Sequence, residues 1–211
     1  MVRKGSDGSL EALIAALADT LAPERDARHA PFAAALETIV PAFDAAPETR
    51  SLPVLEHWTR SLTLPAPAPV EALARALDDL RPALAFTQNP NYVAAPPSPG
   101  FLDRYGYAVL AGPAEGPPAL VRHPSLALGV LLLAPATRYP THVHPAAELY
   151  LPLGPAGWSL GDGALVVRPA GTPIVHAPNE PHATETGATP LAALYLWIGE
   201  ISVAATLVTP P

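Results

Sequence analysis

Four of the seven histidines fall between positions 142 and 182, and in the run from His142 the residues His142, His144, Glu148 and Tyr150 all occupy even positions. An extended chain sends alternate side chains to opposite faces, so this spacing predicts all four on one face of a strand. Imidazole nitrogens and a carboxylate suit a divalent first-row metal. Two or three of them on one strand, joined by one from a neighbouring strand, make a half-open site. A catalytic metal needs that open position. A tyrosine beside such a cation also becomes a competent base, although a free phenol titrates near pH 10. The plain alternative is a solvated polar edge, in which polar and apolar residues alternate without doing chemistry.

Composition narrows the chemistry further. With no cysteine, the chain has no thiolate nucleophile, disulfide framework or Cys-type zinc site, so a metal must be held by His, Asp, Glu or Tyr. Lys4 is the only lysine, which argues against Schiff-base catalysis and a phosphate loop of the Gly-Lys-Ser/Thr type. A net charge of −7 with 12 scattered basic residues offers no footprint for nucleic acid or anionic membrane, so a small molecule is the expected partner. The longest uncharged apolar run, Pro124 to Thr137, is shorter than the roughly 20 residues that span a bilayer. Asp7, Glu11 and Asp19 interrupt any export signal after Arg3 and Lys4, and the expected location is the cytoplasm.

The length of 211 residues suits one core with a modest appendage, and 49% hydrophobic against 15% charged residues predicts folding in spite of 29 prolines. The first part reads as helices. Leu10, Leu13, Ile14, Leu17 and Leu21 recur at helical spacing after Ser9, a candidate N-cap, and the helix should stop before Pro23. Further helices are predicted from about Pro31 to Ala45, from Ser51 with Pro53 early, and from Pro69 to Leu80. Gln88–Gly100 reads as a connection. Beyond it, short apolar runs bounded by Pro or Gly predict strands over Tyr105–Leu110, Leu126–Leu133, Glu148–Leu153, Ala164–Val167, Thr172–His176 and Leu191–Ile198. Many short strands with turn signals between them suggest a sandwich or small barrel.

With the elements placed, the sequence resembles the cupin family. The first cupin motif has the form G-x5-H-x-H-x3-E-x6-G, and His142-x-His144-x3-Glu148 matches its ligands, with Ala136 in place of the leading glycine and Gly154 one residue early. The second, G-x5-P-x-G-x2-H-x3-N, aligns from Gly171 through His182, with Ala177, Asn179 and Thr186 replacing its proline, glycine and asparagine. Within cupins, His144-x3-Glu148-x-Tyr150 followed by His182, behind a helical N-terminal segment, is most similar to the dimethylsulfoniopropionate (DMSP) lyases and lyase-like proteins. The resemblance implies an α+β chain, with residues 1–87 as helices packed on a double-stranded β-helix, a jelly-roll barrel of residues 88–211. It implies a divalent metal on His144, Glu148 and His182, Tyr150 at or on the metal as base, and a pocket lined by Tyr139 and Trp197. His142 is then a fourth ligand, an outer hydrogen-bond donor or pocket lining.

The implied reaction cleaves the C–S bond of DMSP, or of a related β-substituted carboxylate, by β-elimination to dimethyl sulfide and acrylate. Proton loss α to a carboxylate builds enolate charge that a Lewis acid stabilises. The cationic sulfonium suits ring faces of Tyr139, Trp158, Tyr195 or Trp197, at roughly 0.5–2 kcal/mol each. The ligand types do not select among iron, zinc, manganese, cobalt and nickel, and the chain is expected as a monomer or homodimer. The same ligands would also serve an Fe(II)-dependent dioxygenase or a ligand-binding cupin without catalysis. Among the remaining candidates, Gly157-Trp158-Ser159-Leu160-Gly161 fits the serine-hydrolase elbow, but the glycines and valine strand after it predict a hairpin. Pro178 and Pro181 break the register between His176 and His182, so His176 reads as turn or pocket wall. His29, His57 and His123 read as surface residues and Trp58 as core.

Overall fold

The computed structural model of the chain describes residues 3–22, 26–41, 51–161 and 163–208, with side chains from Gly8 onward. Four helices come first: α1 (Arg3–Thr20), α2 (Ala30–Leu36), α3 (Trp58–Leu62) and α4 (Ala68–Leu80). Ser9 lies inside α1 and does not cap it. The apolar stripe from Leu10 marks the buried face, whereas the helix start requires only backbone hydrogen bonds and precedes it. The second helix ends at Leu36, earlier than expected, as Thr38, Ile39 and Val40 are β-branched and Pro41 follows. The remainder of that expected helix, residues 42–45, lies outside the described residues, as does Pro23. The third stretch begins as a 3-10 turn over Pro53–His57 before α3. Trp58 is core, its indole donating to Asp78 Oδ1 of α4 at 2.6 Å.

The connection contains a short helix, α5 (Pro90–Ala94), opened by the Asn89 side chain accepting from the Asn91 amide at 2.9 Å with proline in the first turn. The strands, in chain order, are β1 (Phe86–Thr87), β2 (Tyr105–Gly112), β3 (Ala119–Arg122), β4 (Leu126–Leu133), β5 (Arg138–Val143), β6 (Ala147–Pro152), β7 (Ala156–Leu160), β8 (Val166–Arg168), β9 (Ile174–His176), β10 (His182–Glu185), β11 (Leu191–Ile198) and β12 (Thr206–Leu207). Four were not anticipated (β1, β3, β10 and β12), and β5 and β7 were foreseen only as part of the extended run from His142 and of the hairpin at Gly157–Gly161. They are short or carry polar and proline residues that an apolar-run criterion passes over. Their partners make them strands, through pairings such as His182 with His142.

One sheet runs β1-β2-β4-β11-β6-β9 with β3 parallel to β2, and the other runs β12-β5-β10-β7-β8. The order β4-β11-β6-β9 facing β5-β10-β7-β8 is a jelly roll of eight antiparallel strands, the double-stranded β-helix of a cupin. Gly157–Leu160 lies in strand β7, which pairs with β8, so no elbow forms at Ser159.

Strands β4 and β11 are buried on both faces, and period two sorts their residues. Leu128, Val130 and Leu132 of β4, with Leu194 and Leu196 of β11 and Leu149 of β6, face outward into one cluster with Leu13, Leu17, Leu73 and Leu77 of the helices. The alternate residues Ala127, Leu131, Tyr150, Ala193 and Tyr195 face into the barrel with Tyr105 and Tyr139. The helices therefore close the outside of the larger sheet and leave the barrel interior for the site. His29 and His123, expected at the surface, are buried. The His123 ring accepts from the Leu126 amide at 3.0 Å and bonds the Thr38 hydroxyl at 2.9 Å, which joins the end of α2 to β4.

Candidate metal centre and cavity

Glu148 and Tyr150 share the inward parity of β6, and their cross-strand partners on β11 are Trp197 and Tyr195. His142 sits on β5 opposite His182 of β10, and His144 stands just past the end of β5. The expectation of one strand carrying all four even-numbered residues is therefore corrected. The chain turns at Pro145–Ala146, and the four converge from two facing sheets. Even spacing still puts them together, as both sheets turn the same parity inward.

The three histidines are held alike. Nδ1 of His142 lies 2.8 Å from the Pro140 carbonyl, Nδ1 of His144 3.0 Å from that of Ala146, and Nδ1 of His182 2.8 Å from that of Glu180. A carbonyl can only accept, so each Nδ1 donates to the main chain, and each ring turns its Nε2 to the interior. Glu148 is fully buried. Its Oε2 is 3.0 Å from His144 Nε2 and 3.1 Å from His182 Nε2, while its Oε1 accepts from the Trp197 indole at 2.6 Å. Among the described residues His182 Nε2 has no well-directed hydrogen-bond partner despite that closeness. Ring nitrogens gathered about 3 Å from a carboxylate oxygen match the spacing of neighbouring ligands around one ion with bonds of about 2.0–2.2 Å. His142, His144 and His182 offer ligand atoms within 4.8 Å of one another, and so do Glu148, His176 and His182. The buried His/Glu group can hold a metal ion.

Electrostatics agree with that reading. Burial pushes the Glu148 carboxyl up, but His144 and His182 beside it outweigh this and hold it well below the usual carboxylate range. Burial, followed by the charge of Glu148, raises the Tyr150 hydroxyl well above the usual phenol value. Burial likewise raises Tyr105, Tyr139 and Tyr195, which stay protonated donors.

A cavity of about 200 Å³ opens onto Glu148 and Tyr150, lined by Tyr105, Tyr107, Tyr139, Tyr195 and Trp197, together with Asn89. Tyr139 stacks on His142 with centroids 4.0 Å apart, and Trp197 stacks on His144 at 4.1 Å. Gly129 of β4 makes room for this wall, since a Cβ there would meet the Tyr195 ring at 2.4 Å. Trp158 stands behind Tyr150, centroids 4.9 Å apart, and is not among the lining residues. Tyr105, Tyr107 and Asn89 escaped the sequence reading; the inward parity of the predicted strand at Tyr105 was the available signal for the tyrosines. His176, read there as turn or wall, lies on β9 directly across from Glu148.

The model of the dimethylsulfoniopropionate lyase family matches residues 24–193. The chain is 34% identical over 158 residues to the putative DMSP lyase DddL of Cereibacter sphaeroides, covering 74% of this chain and 62% of that protein. It is 36% identical over 111 residues to the DMSP lyase DddQ of Ruegeria pomeroyi, covering 52% of this chain and 53% of DddQ. The matches thus span less than two thirds of either curated relative. The crystal structure of DddQ from Ruegeria pomeroyi superposes with a TM-score of 0.71 at 26% identity, over 92% of this chain and 96% of that one. A chain from the crystal structures of the DMSP lyases RdDddP and RnDddQII gives 0.73 at 26% identity, over 97% and 100%. With a family match over most of the described chain and the same fold in those enzymes, the chain belongs to the dimethylsulfoniopropionate lyase family.

Proposed function

We propose that the chain is a metal-dependent carbon–sulfur lyase that cleaves DMSP, or a related β-substituted carboxylate, by tyrosine-initiated β-elimination. The observation that carries this reading is the placement of Tyr150 at the junction of the aromatic cavity with the buried Glu148–histidine group. His144, Glu148 and His182 would hold the ion, with His142 beside them. When bound, a divalent cation supplies Lewis acidity that stabilises both a phenolate and the enolate charge of the substrate. The Tyr150 oxygen takes the proton from the carbon next to the carboxylate. The electron pair of that C–H bond becomes the new C=C bond, and the Cβ–S bond breaks with its pair leaving on sulfur. Dimethyl sulfide departs, acrylate remains and the proton stays on Tyr150. The hydroxyls of Tyr105, Tyr139 and Tyr195 are donors for the carboxylate end, and the ring faces receive the sulfonium.

The Tyr150→Phe variant tests this mechanism. It should lose about 10²–10⁴-fold in turnover, measured as dimethyl sulfide by gas chromatography and acrylate by liquid chromatography, while its metal content stays that of the wild type. Retained turnover would take Tyr150 out of the reaction. Wild-type protein loaded with iron, zinc, manganese, cobalt or nickel in turn that yields neither product from DMSP would reject the substrate.

A further inference from the structure

We propose that His176 is an additional ligand of this centre, one that neither cupin motif contains. The inference rests on the metal-centre reading above. His176 is fully buried, and neither of its ring nitrogens has a hydrogen-bond partner among the described residues. An imidazole fixed in a core for packing alone normally pairs at least one nitrogen. Here one nitrogen carries a proton and the other a lone pair, and both are left open beside Glu148 and His182.

Its position supplies the missing partner. The β6–β9 ladder sets His176 directly opposite Glu148, and its ring stacks on that of His182 with centroids 4.0 Å apart and planes 19° from parallel. A ring nitrogen lies within 4.8 Å of ligand atoms of both Glu148 and His182. The group Glu148–His176–His182 therefore shares His182 with His142–His144–His182, and four ligand-bearing side chains gather about that one ring. His142, His144 and His182 are each clamped by a carbonyl, and no such clamp engages His176. Its ring can present either nitrogen, which makes it the exchangeable member of the set. His176 is also absent from the cavity lining, so replacing it leaves the substrate wall in place.

The test compares wild type, His176→Phe and His176→Gln, each titrated with Co(II) against a competing chelator and followed by visible absorption. Both variants should bind Co(II) at least 10-fold more weakly and show an altered d–d spectrum. Without metal, His176→Phe should melt at or above the wild-type temperature, since it replaces two unpaired nitrogens with apolar edge. Wild-type Co(II) affinity and spectrum in either folded variant would reduce His176 to a core ring. Should both variants fail to fold, nitrogen NMR of wild-type protein labelled at histidine and titrated with Zn(II) decides. A metal-shifted His176 nitrogen is expected, and an unshifted one overturns the assignment. A wild type that binds no ion sinks the centre and His176 together, whereas wild-type binding with indifferent variants removes His176 alone.

Discussion

Trp197 contributes to the centre twice, donating its indole N–H to Glu148 at 2.6 Å and lying over the His144 ring. Trp197→Phe keeps the ring face and removes the donor, leaving a buried carboxylate oxygen unpaired. The expected result is a 10–100-fold rise in the Kd for Zn(II) by chelator competition, with an unchanged far-UV spectrum. A wild-type Kd would detach Trp197 from the centre and leave it a wall residue. At this scale the sequence spoke clearly where spacing reflects a shared parity. His142, His144, Glu148 and Tyr150 could be gathered from their even positions alone, although they come from two strands. It was silent on Trp197 as a donor to Glu148 and took His176 for turn or pocket wall, not for a neighbour of Glu148. Those contacts depend on which strands become neighbours, β11 and β9 flanking β6, and that pairing is settled by residues far from the motif.

Among the elements, the turn between β4 and β5 shows how the divergent motif survives. Ala136 and Asn179 occupy the two motif positions where a glycine is replaced, and both keep positive φ, 50° and 58°. The backbone conformation has been retained without the residue that adopts it freely. Asparagine tolerates it well, whereas alanine bears the full steric penalty of its Cβ. Ala136→Gly should therefore stabilise the fold by about 0.5–1 kcal/mol, read as a higher urea midpoint with an unchanged m value. A lower midpoint would mean that the alanine methyl is worth more than the strain. Thr186, in place of the motif asparagine, ties the same region together. Its hydroxyl donates to the Ala134 carbonyl at 2.6 Å and accepts from the Thr137 amide at 2.8 Å. Those two motif glycines are gone from the sequence, but the conformation is enforced by bonds that cross from one turn to another.

On the scale of the whole molecule, the helices and the barrel share one apolar cluster, in which Leu13, Leu73 and Leu77 meet Leu128, Leu149 and Leu194. The predicted boundary after residue 87 also runs beside a strand pair, since Phe86 and Thr87 are already hydrogen-bonded to β2. Both parts are expected to unfold together. The six tyrosines all lie at or beyond Tyr92, so near-UV circular dichroism in the tyrosine band follows the barrel, while the 222 nm signal follows the helices. Leu73→Ala should lower both urea midpoints together, at a cost of about 2–5 kcal/mol. A shift confined to the helix signal would divide the chain into independent units. Helical periodicity and short apolar runs were enough to foresee helices followed by a barrel. They could not foresee which sheet face the helices cover, because β4 and β11 are apolar on both faces and only the tyrosines of the inner parity mark the interior.

The carbonyl clamps on His142, His144 and His182 bear on how this chain can drift. The main chain at Pro140, Ala146 and Glu180 supplies the acceptors, and every amino acid has the same carbonyl. Side chains at those three places can therefore change without altering the tautomer of any ring, so long as the turns hold their course. The ligand set is insulated from much of the substitution around it, and a lineage is free to rebuild its pocket walls while the imidazoles continue to face inward.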